Sequence, residues 1–232
     1  MENFENILVN IDKVKKVIAD TVRVDDCAPV IILASKTVPK KMLLQLAEYD
    51  KYIFGENRVQ ELIDKHFDNT NITWHFIGQL QSNKVKYIVD KVSLIHSVDR
   101  LSLAEEIDKQ AHKIGKVMDI LVEINIAGEA AKGGISPDSI EQFIEELDKF
   151  ASLSVKGIMA VMPNVKQDEL NKYYLQLKGM YDTIKKSKPD KMQYLSAGMS
   201  GDYIIAVKHG ANMVRLGSVI FGDRNGGAYG KR

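Results

Sequence analysis

Lys36 closes an almost unbroken apolar run, Val30-Ile31-Ile32-Leu33-Ala34-Ser35, and is followed by Thr37-Val38-Pro39 and a helical pattern. A lysine at the end of a buried strand has chemistry open to it that a solvated lysine lacks. Burial lowers the amine pKa and leaves a nucleophile able to form a Schiff base with an aldehyde. A lysine that snorkels to water from a strand end is the competing reading, and the commoner one for an isolated residue.

Two glycine- and serine-bearing segments near the other end of the chain supply what Lys36 alone does not. One is Ser196-Ala197-Gly198-Met199-Ser200-Gly201-Asp202, the other Arg215-Leu216-Gly217-Ser218. Glycine lets backbone N–H groups approach an anion, Ser200 and Ser218 add hydroxyl donors, and a following helix favours negative charge. Ordinary turn and cap chemistry uses the same small residues. Two such loops together with a Schiff-base lysine imply a phosphorylated aldehyde, of which pyridoxal 5′-phosphate is the obvious case. Arg215 could then donate to the pyridine nitrogen. A guanidinium does not give up its proton, so the ring would stay neutral and a poor electron sink. Pairing of Arg215 with a barrel carboxylate such as Glu123 is the alternative. Asn57, His75 and Glu123 are further interior candidates that a satisfied polar network would explain equally well. His66, His112 and His209 show no metal-ligand spacing, and Lys84 and Lys86 read as a solvated helix start.

The elements that must position these groups alternate from end to end. Strand-like runs fall at 30–35, 52–54, 73–77, 93–96, 119–125, 154–161, 193–196 and 213–216. Between them apolar residues recur at three and four: Ala104, Ile107, Ala111 and Ile114, with Asp99 as N-cap and Gly115 at the end; Ile140, Phe143, Ile144, Leu147 and Phe150, behind Ser136-Pro137; and Leu170, Tyr173, Tyr174, Leu177, Tyr181 and Ile184. Eight strand–helix units in a chain of this length predict a single (β/α)8 TIM barrel spanning residues 1–232. No GxGxxG follows the first strand, which argues against a dinucleotide-binding sheet. Candidate chemistry sits at strand ends, as in such barrels, and period two puts Glu123 and Asn125 on one side of their strand. The eighth helix should be short or absent, with an amphipathic leader (Ile7, Leu8, Ile11, Val14, Ile18) packing near the gap.

Bulk properties narrow the partners. The formal net charge is +1, from 32 basic and 31 acidic residues, which favours neither nucleic acid nor a membrane surface. The lone Cys27 excludes an internal disulfide framework and fits a reducing cytoplasm. The acidic start, Met1-Glu2-Asn3-Phe4-Glu5, lacks the order of a signal peptide.

Taken in order and spacing, Ser35-Lys36-Thr37, Phe54-Gly55-Glu56-Asn57-Arg58, Trp74-His75-Phe76-Ile77-Gly78-Gln79-Leu80-Gln81-Ser82-Asn83-Lys84, the segment from Ser196 to Asp202, and Val214-Arg215-Leu216-Gly217-Ser218-Val219-Ile220-Phe221-Gly222 resemble the pyridoxal phosphate homeostasis protein family. These are small relatives of the alanine racemase N-terminal barrel. The resemblance implies a PLP fold-type III barrel with an extra N-terminal helix and without the racemase C-terminal β domain. It implies an internal aldimine on Lys36, a phosphate held by Ser200, Gly217 and Ser218, with Gly201 a further cofactor-binding position, and Arg215 near the pyridine nitrogen. Asn57, His75 and Met159 are further implied pocket positions. Ala197 stands where the family commonly has methionine, trimming pocket or core volume, and Ser218 stands for a frequent threonine while keeping the hydroxyl.

The family resemblance also implies binding and homeostasis of pyridoxal phosphate in the cytoplasm, without robust catalysis, by a monomer in transient contact with PLP-dependent apo-enzymes. The racemases need a second domain and a partner-supplied tyrosine on the opposite cofactor face, and a two-base racemase needs acid–base groups on both faces. An amino-acid racemase using Lys36 and His75, or a Schiff-base aldolase with a sugar phosphate in the same cup, is the enzymatic alternative.

Overall fold

A computed structural model describes residues 2–24, 28–129 and 133–222. Cys27, and with it the reading of the single thiol, lies outside them, as does the glycine-rich tail. Among the described residues eight parallel strands close into a barrel in chain order: β1 (Val30–Ala34), β2 (Tyr52–Glu56), β3 (Ile72–Phe76), β4 (Leu94–Val98), β5 (Met118–Ile124), β6 (Leu153–Ala160), β7 (Tyr194–Ser196) and β8 (Met213–Leu216). Helix α1 (Glu2–Asp20) precedes them. α2 (Lys40–Tyr49), α3 (Val59–Lys65), α4 (Leu101–Lys113), α5 (Ile140–Leu147), α6 (Gln167–Ser187), α7 (Tyr203–Lys208) and α8 (Ser218–Phe221) form the outer layer. Between β3 and β4 the connection is a 3-10 helix, Ser82–Tyr87, that buries Val85.

The strands are apolar on both faces because both are covered. Ile32, Ala34, Ile77, Leu94, Leu121, Met159 and Met213 cluster inside the barrel. Their alternates, including Leu33, Phe54, Phe76, Ile95, Val122 and Val214, join the larger core beneath the helices. The β5–β6 register shifts between Ile120 and Leu121, opposite Gly157 at φ +152°, where a Cβ would collide with the Tyr194 carbonyl. Only glycine allows that close approach.

The expected short eighth helix is α8, and the leader is α1. Ile7, Ile11, Val14 and Ile18 are buried, and Asn10 Nδ2 donates to the Ile220 carbonyl at 3.0 Å, tying α1 to α8. Two local expectations need correction. Asp99 does not cap α4: the N-cap is Arg100, in extended conformation, because β4 runs on to Val98 and the Asp99 carboxylate turns to the Arg100 guanidinium at 2.6 Å. Ile114 falls one residue beyond that helix and is 48% exposed. No helix among the described residues is long and apolar enough to cross a membrane.

Candidate functional site

Strand alternation fixes which side chains face the mouth of the barrel. Ile32 and Ala34 point inward, so period two carries Lys36 to the same side just past β1. Lys36 is half-buried in a turn. The next residue, Thr37, has φ 67° and is the one non-glycine residue in the left-handed region among those described. For a β-branched residue that conformation costs on the order of 1–3 kcal/mol, so it persists only where surrounding contacts dictate it. Those contacts come from β2 and α3. Lys65 Nζ donates to the Ser35 carbonyl at 2.8 Å, and the Thr37 N–H donates to Glu61 Oε2 at 3.0 Å.

Polar side chains from four strands form one chain across the interior. His75 Nδ1 lies 3.1 Å from His96 Nε2. His96 Nδ1 lies 3.2 Å from Ser196 Oγ. Arg215 Nη1 donates to Ser196 Oγ at 2.7 Å, and Nη2 donates to the Ala160 carbonyl at 3.0 Å. Burial holds His75 down to about 3. Burial, then the charges of His75 and Arg215, hold His96 well below the usual histidine range. Both rings are therefore neutral near pH 7, one nitrogen donating and the other accepting along the chain. Arg215 is 5% exposed and bonds to Ser196 and Ala160, so the direct pairing with Glu123 offered as one sequence alternative is not made.

Glu123 is also buried, with Oε2 unpartnered among the described residues. Burial, reinforced by the Asp99 charge and opposed by Arg215, raises its carboxyl to about 7. Between the ordinary carboxyl value of 4.5 and about 7 the unfolded chain has released this proton while the folded chain keeps it. Stability contributed by the neutral carboxyl is thus lost as pH rises through that window. Glu123→Gln should therefore gain roughly 1–3 kcal/mol over wild type at about pH 8 and almost nothing at about pH 5, read from urea unfolding of the cofactor-free protein. A constant difference at both pH values would refute the assignment.

The two small-residue loops meet. Ser200 Oγ accepts the Gly217 N–H at 3.1 Å and the Val219 N–H at 3.2 Å. With both lone pairs engaged, its own O–H is directed elsewhere, as a donor. Gly198, at φ +94°, makes the turn, and a Cβ there would lie 2.6 Å from Ala206 Cβ. Asp202 Oδ1 accepts the Met199 N–H at 2.6 Å, and Oδ2 accepts the Tyr174 hydroxyl at 2.6 Å, fixing the loop from behind. The pairing of β1 with β8 sets Leu33 beside Leu216. A Cβ on Gly217 would lie 3.5 Å from the Ala34 carbonyl, so the loop abuts the strand that leads to Lys36.

The remaining candidates fall as follows. Asn57 is half-buried just past β2, and Met159 is fully buried inside the barrel. Ser218 is exposed at the rim, and Gly201 is exposed with open space where a Cβ would sit, so local geometry does not demand glycine at 201. Ala197 belongs to the core beneath the helices, which makes it a core position and not a pocket one. Sequence reasoning gave no role to His96, Ser196, Glu56, Glu61 or Lys65. Two histidines inward-facing on adjacent strands were a usable signal for His96. Nothing in the sequence marks Lys65 as buried.

Residues 6–225 match the family model described as "Alanine racemase, N-terminal domain". The chain is 37% identical over 217 residues to the pyridoxal phosphate homeostasis protein of Aquifex aeolicus, covering 92% of this chain and 95% of that one. Among solved structures it resembles PipY of Synechococcus elongatus with PLP bound, at TM-score 0.80 and 27% identity, covering 93% of this chain and 100% of that one. It also resembles alanine racemase of Clostridium difficile, at TM-score 0.73 and 17% identity, covering 94% of this chain and 57% of that one. This last likeness is one of fold alone.

Proposed function

The chain belongs to the pyridoxal phosphate homeostasis protein family, built on an alanine racemase N-terminal domain, and from that membership we propose that it binds pyridoxal 5′-phosphate through a Schiff base on Lys36 and holds the cofactor as a carrier or buffer. What carries the reading is the pairing of β1 with β8, which brings the Lys36 turn alongside the bridge of Ser200, Gly217 and Val219.

The residues fit the group. Ser200 has a hydroxyl hydrogen left to donate, and Gly217, Ser218 and Gly201 crowd nothing, so they would hold the phosphate. Arg215 has five N–H donors and gives two to Ser196 and Ala160. Among the described residues no carboxylate bonds to it directly, and an acceptor such as a pyridine nitrogen would complete its set. Asn57, His75 and Met159 would line the ring. When bound, pyridoxal phosphate supplies an electrophilic aldehyde and a ring able to withdraw electrons. The protein's own groups restrain the second of these. Arg215 keeps its protons, so a ring nitrogen facing it takes a hydrogen bond and no positive charge. His75, held neutral by burial, is a poor proton donor near pH 7. These two features favour holding over racemisation. We extend the reading to residues 1–232 as one domain, acting as a cytoplasmic monomer that passes cofactor to PLP-dependent apo-enzymes without nucleic-acid or membrane partners.

Titration of cofactor-free protein with pyridoxal phosphate should give a yellow complex. Ser200→Ala or Ser218→Ala should each weaken retention about tenfold, and the double variant more than either, since charge-assisted hydrogen bonds to one phosphate are lost. Wild-type protein that stays colourless and takes up no cofactor would refute binding, and equal retention by the double variant would refute the phosphate site. Turnover of L-alanine or L-serine to the opposite enantiomer at ordinary enzyme rates, followed by chiral chromatography, would replace holding with catalysis.

A further inference from the structure

Glu61 and Lys65 are four residues apart on α3, a spacing that on most helices makes a solvent-exposed ion pair of little consequence. Here the pair is turned against the barrel wall. Lys65 is 8% exposed, and its ammonium uses three donors on three acceptors: the Ser35 carbonyl at 2.8 Å, Glu56 Oε1 at 2.9 Å and Glu61 Oε2 at 2.9 Å. Ser35 Oγ donates to the same Glu56 oxygen at 2.7 Å. Glu61 Oε2 in turn accepts the Thr37 N–H.

The two backbone bonds in that set flank a single residue. The Ser35 carbonyl belongs to the peptide plane that enters Lys36, and the Thr37 N–H belongs to the plane that leaves it. Fixing both planes fixes φ and ψ of Lys36, and hence the direction in which its side chain departs. The left-handed Thr37 directly follows the plane whose N–H Glu61 holds. Although burial opposes ionisation of Glu61, the Thr37 N–H and the Lys65 ammonium hold its carboxyl below the usual range, so the acceptor is charged when it grips the turn.

We propose that Glu61 and Lys65, braced by Glu56, are positioning residues that clamp the backbone of Lys36 so that its amine is aimed at the aldehyde of pyridoxal phosphate. The inference rests on the functional reading above. The covalent step is a condensation: the amine nitrogen bonds to the aldehyde carbon, water leaves, and nothing is oxidised or reduced. A small misdirection of one reactant slows such a step by one to two orders of magnitude without touching the rest of the binding site.

The test uses Glu61→Ala, chosen because Glu61 is partly exposed and its loss leaves the Lys65–Glu56 pair intact. In the cofactor-free protein the Thr37 amide should exchange its hydrogen faster than in wild type. After mixing with pyridoxal phosphate, Schiff-base formation on Lys36, fixed by borohydride and located by peptide mass spectrometry, should slow by about tenfold. Affinity for pyridoxine 5′-phosphate, which has an alcohol in place of the aldehyde, should stay within about twofold, because phosphate and ring contacts are untouched. Glu61→Gln retains an oxygen acceptor for Thr37 and should recover most of the rate. Unchanged amide exchange, an unchanged rate, or equal losses of rate and of pyridoxine 5′-phosphate affinity would each overturn the clamp. Wild-type protein that fixes no cofactor on Lys36 would overturn the functional reading itself, and this role with it.

Discussion

Lys36→Ala is expected to abolish the covalent link to pyridoxal phosphate while leaving a weaker, noncovalent complex. The nearest lysine in the network, Lys65, has its ammonium engaged by Ser35, Glu56 and Glu61, and Glu56 is the outward neighbour of the inward-facing position 55. Lys65 is thus a charged donor behind the wall and not a nucleophile in the mouth. The proposed phosphate contacts at Ser200 and Gly217 and the guanidinium of Arg215 do not involve the Lys36 side chain, so they should persist in the variant. Borohydride treatment should therefore fix cofactor on wild type at Lys36 and on the variant not at all. Equilibrium retention should fall by roughly ten- to a hundredfold, the loss of one strong contact among several. A full-strength adduct in Lys36→Ala, mapped to another lysine, would remove Lys36 from the site.

The barrel was readable because parallel strands covered on both faces leave apolar runs that stand out from helical stripes of period three and four. All eight runs named from sequence became strands, with ends moved by one or two residues, and Met213–Leu216 was unchanged. That the loops at 198–200 and at Gly217 would be tight turns was readable for a related reason: they carry residue types that such turns and anion sites both require. What lay beyond reach were contacts whose partners are distant in the chain and chemically unremarkable. Ser196 looks like any strand-end serine until Arg215 and His96 are seen on either side of it. The Asp99 cap failed because β4 continued further than its apolar residues indicated, and a carboxylate beside Arg100 had a nearer partner than a helix N-terminus.

Arg215 shows how geometry changed a chemical argument. Sequence alone offered two partners, a pyridine nitrogen or a barrel carboxylate such as Glu123. The guanidinium reaches a neighbouring strand for Ser196 and the end of β6 for the Ala160 carbonyl. Burial lowers its pKa somewhat, yet an arginine remains charged at any physiological pH. Among the described residues this buried charge bonds to neutral oxygens, an arrangement tolerated where further acceptors complete the shell. The charges of Glu123 and Asp202 act on it through space. In the proposed complex, a ring nitrogen facing this guanidinium would gain a hydrogen bond and be denied a proton.

Lys65→Met should produce the largest loss of stability in the chain's polar network, about 3–5 kcal/mol, because it strands a buried carboxylate. The contrast with Lys178 and Asp182, at the same spacing on α6, sets the scale. There the carboxylate is 43% exposed, and pairs of that kind contribute about 1 kcal/mol or less. Glu56 has no exposure, its Oε2 has no partner among the described residues, and burial already raises its pKa against the pull of Lys65 and Ser35. Without the ammonium its folded pKa rises further above the unfolded value. The folded chain then holds a proton that the unfolded chain has released, so the deficit grows as pH rises and shrinks towards acid. Urea unfolding at about pH 8 and about pH 5 should register that slope. Replacing both partners, in Lys65→Met with Glu56→Leu, removes the stranded charge and should restore most of the lost stability. It does not restore a donor to the Ser35 carbonyl, so the double variant should fold well and still form the Lys36 Schiff base slowly. Recovery of both properties together would mean that the buried triad serves stability alone, and recovery of neither would mean that Glu56 is not what Lys65 neutralises.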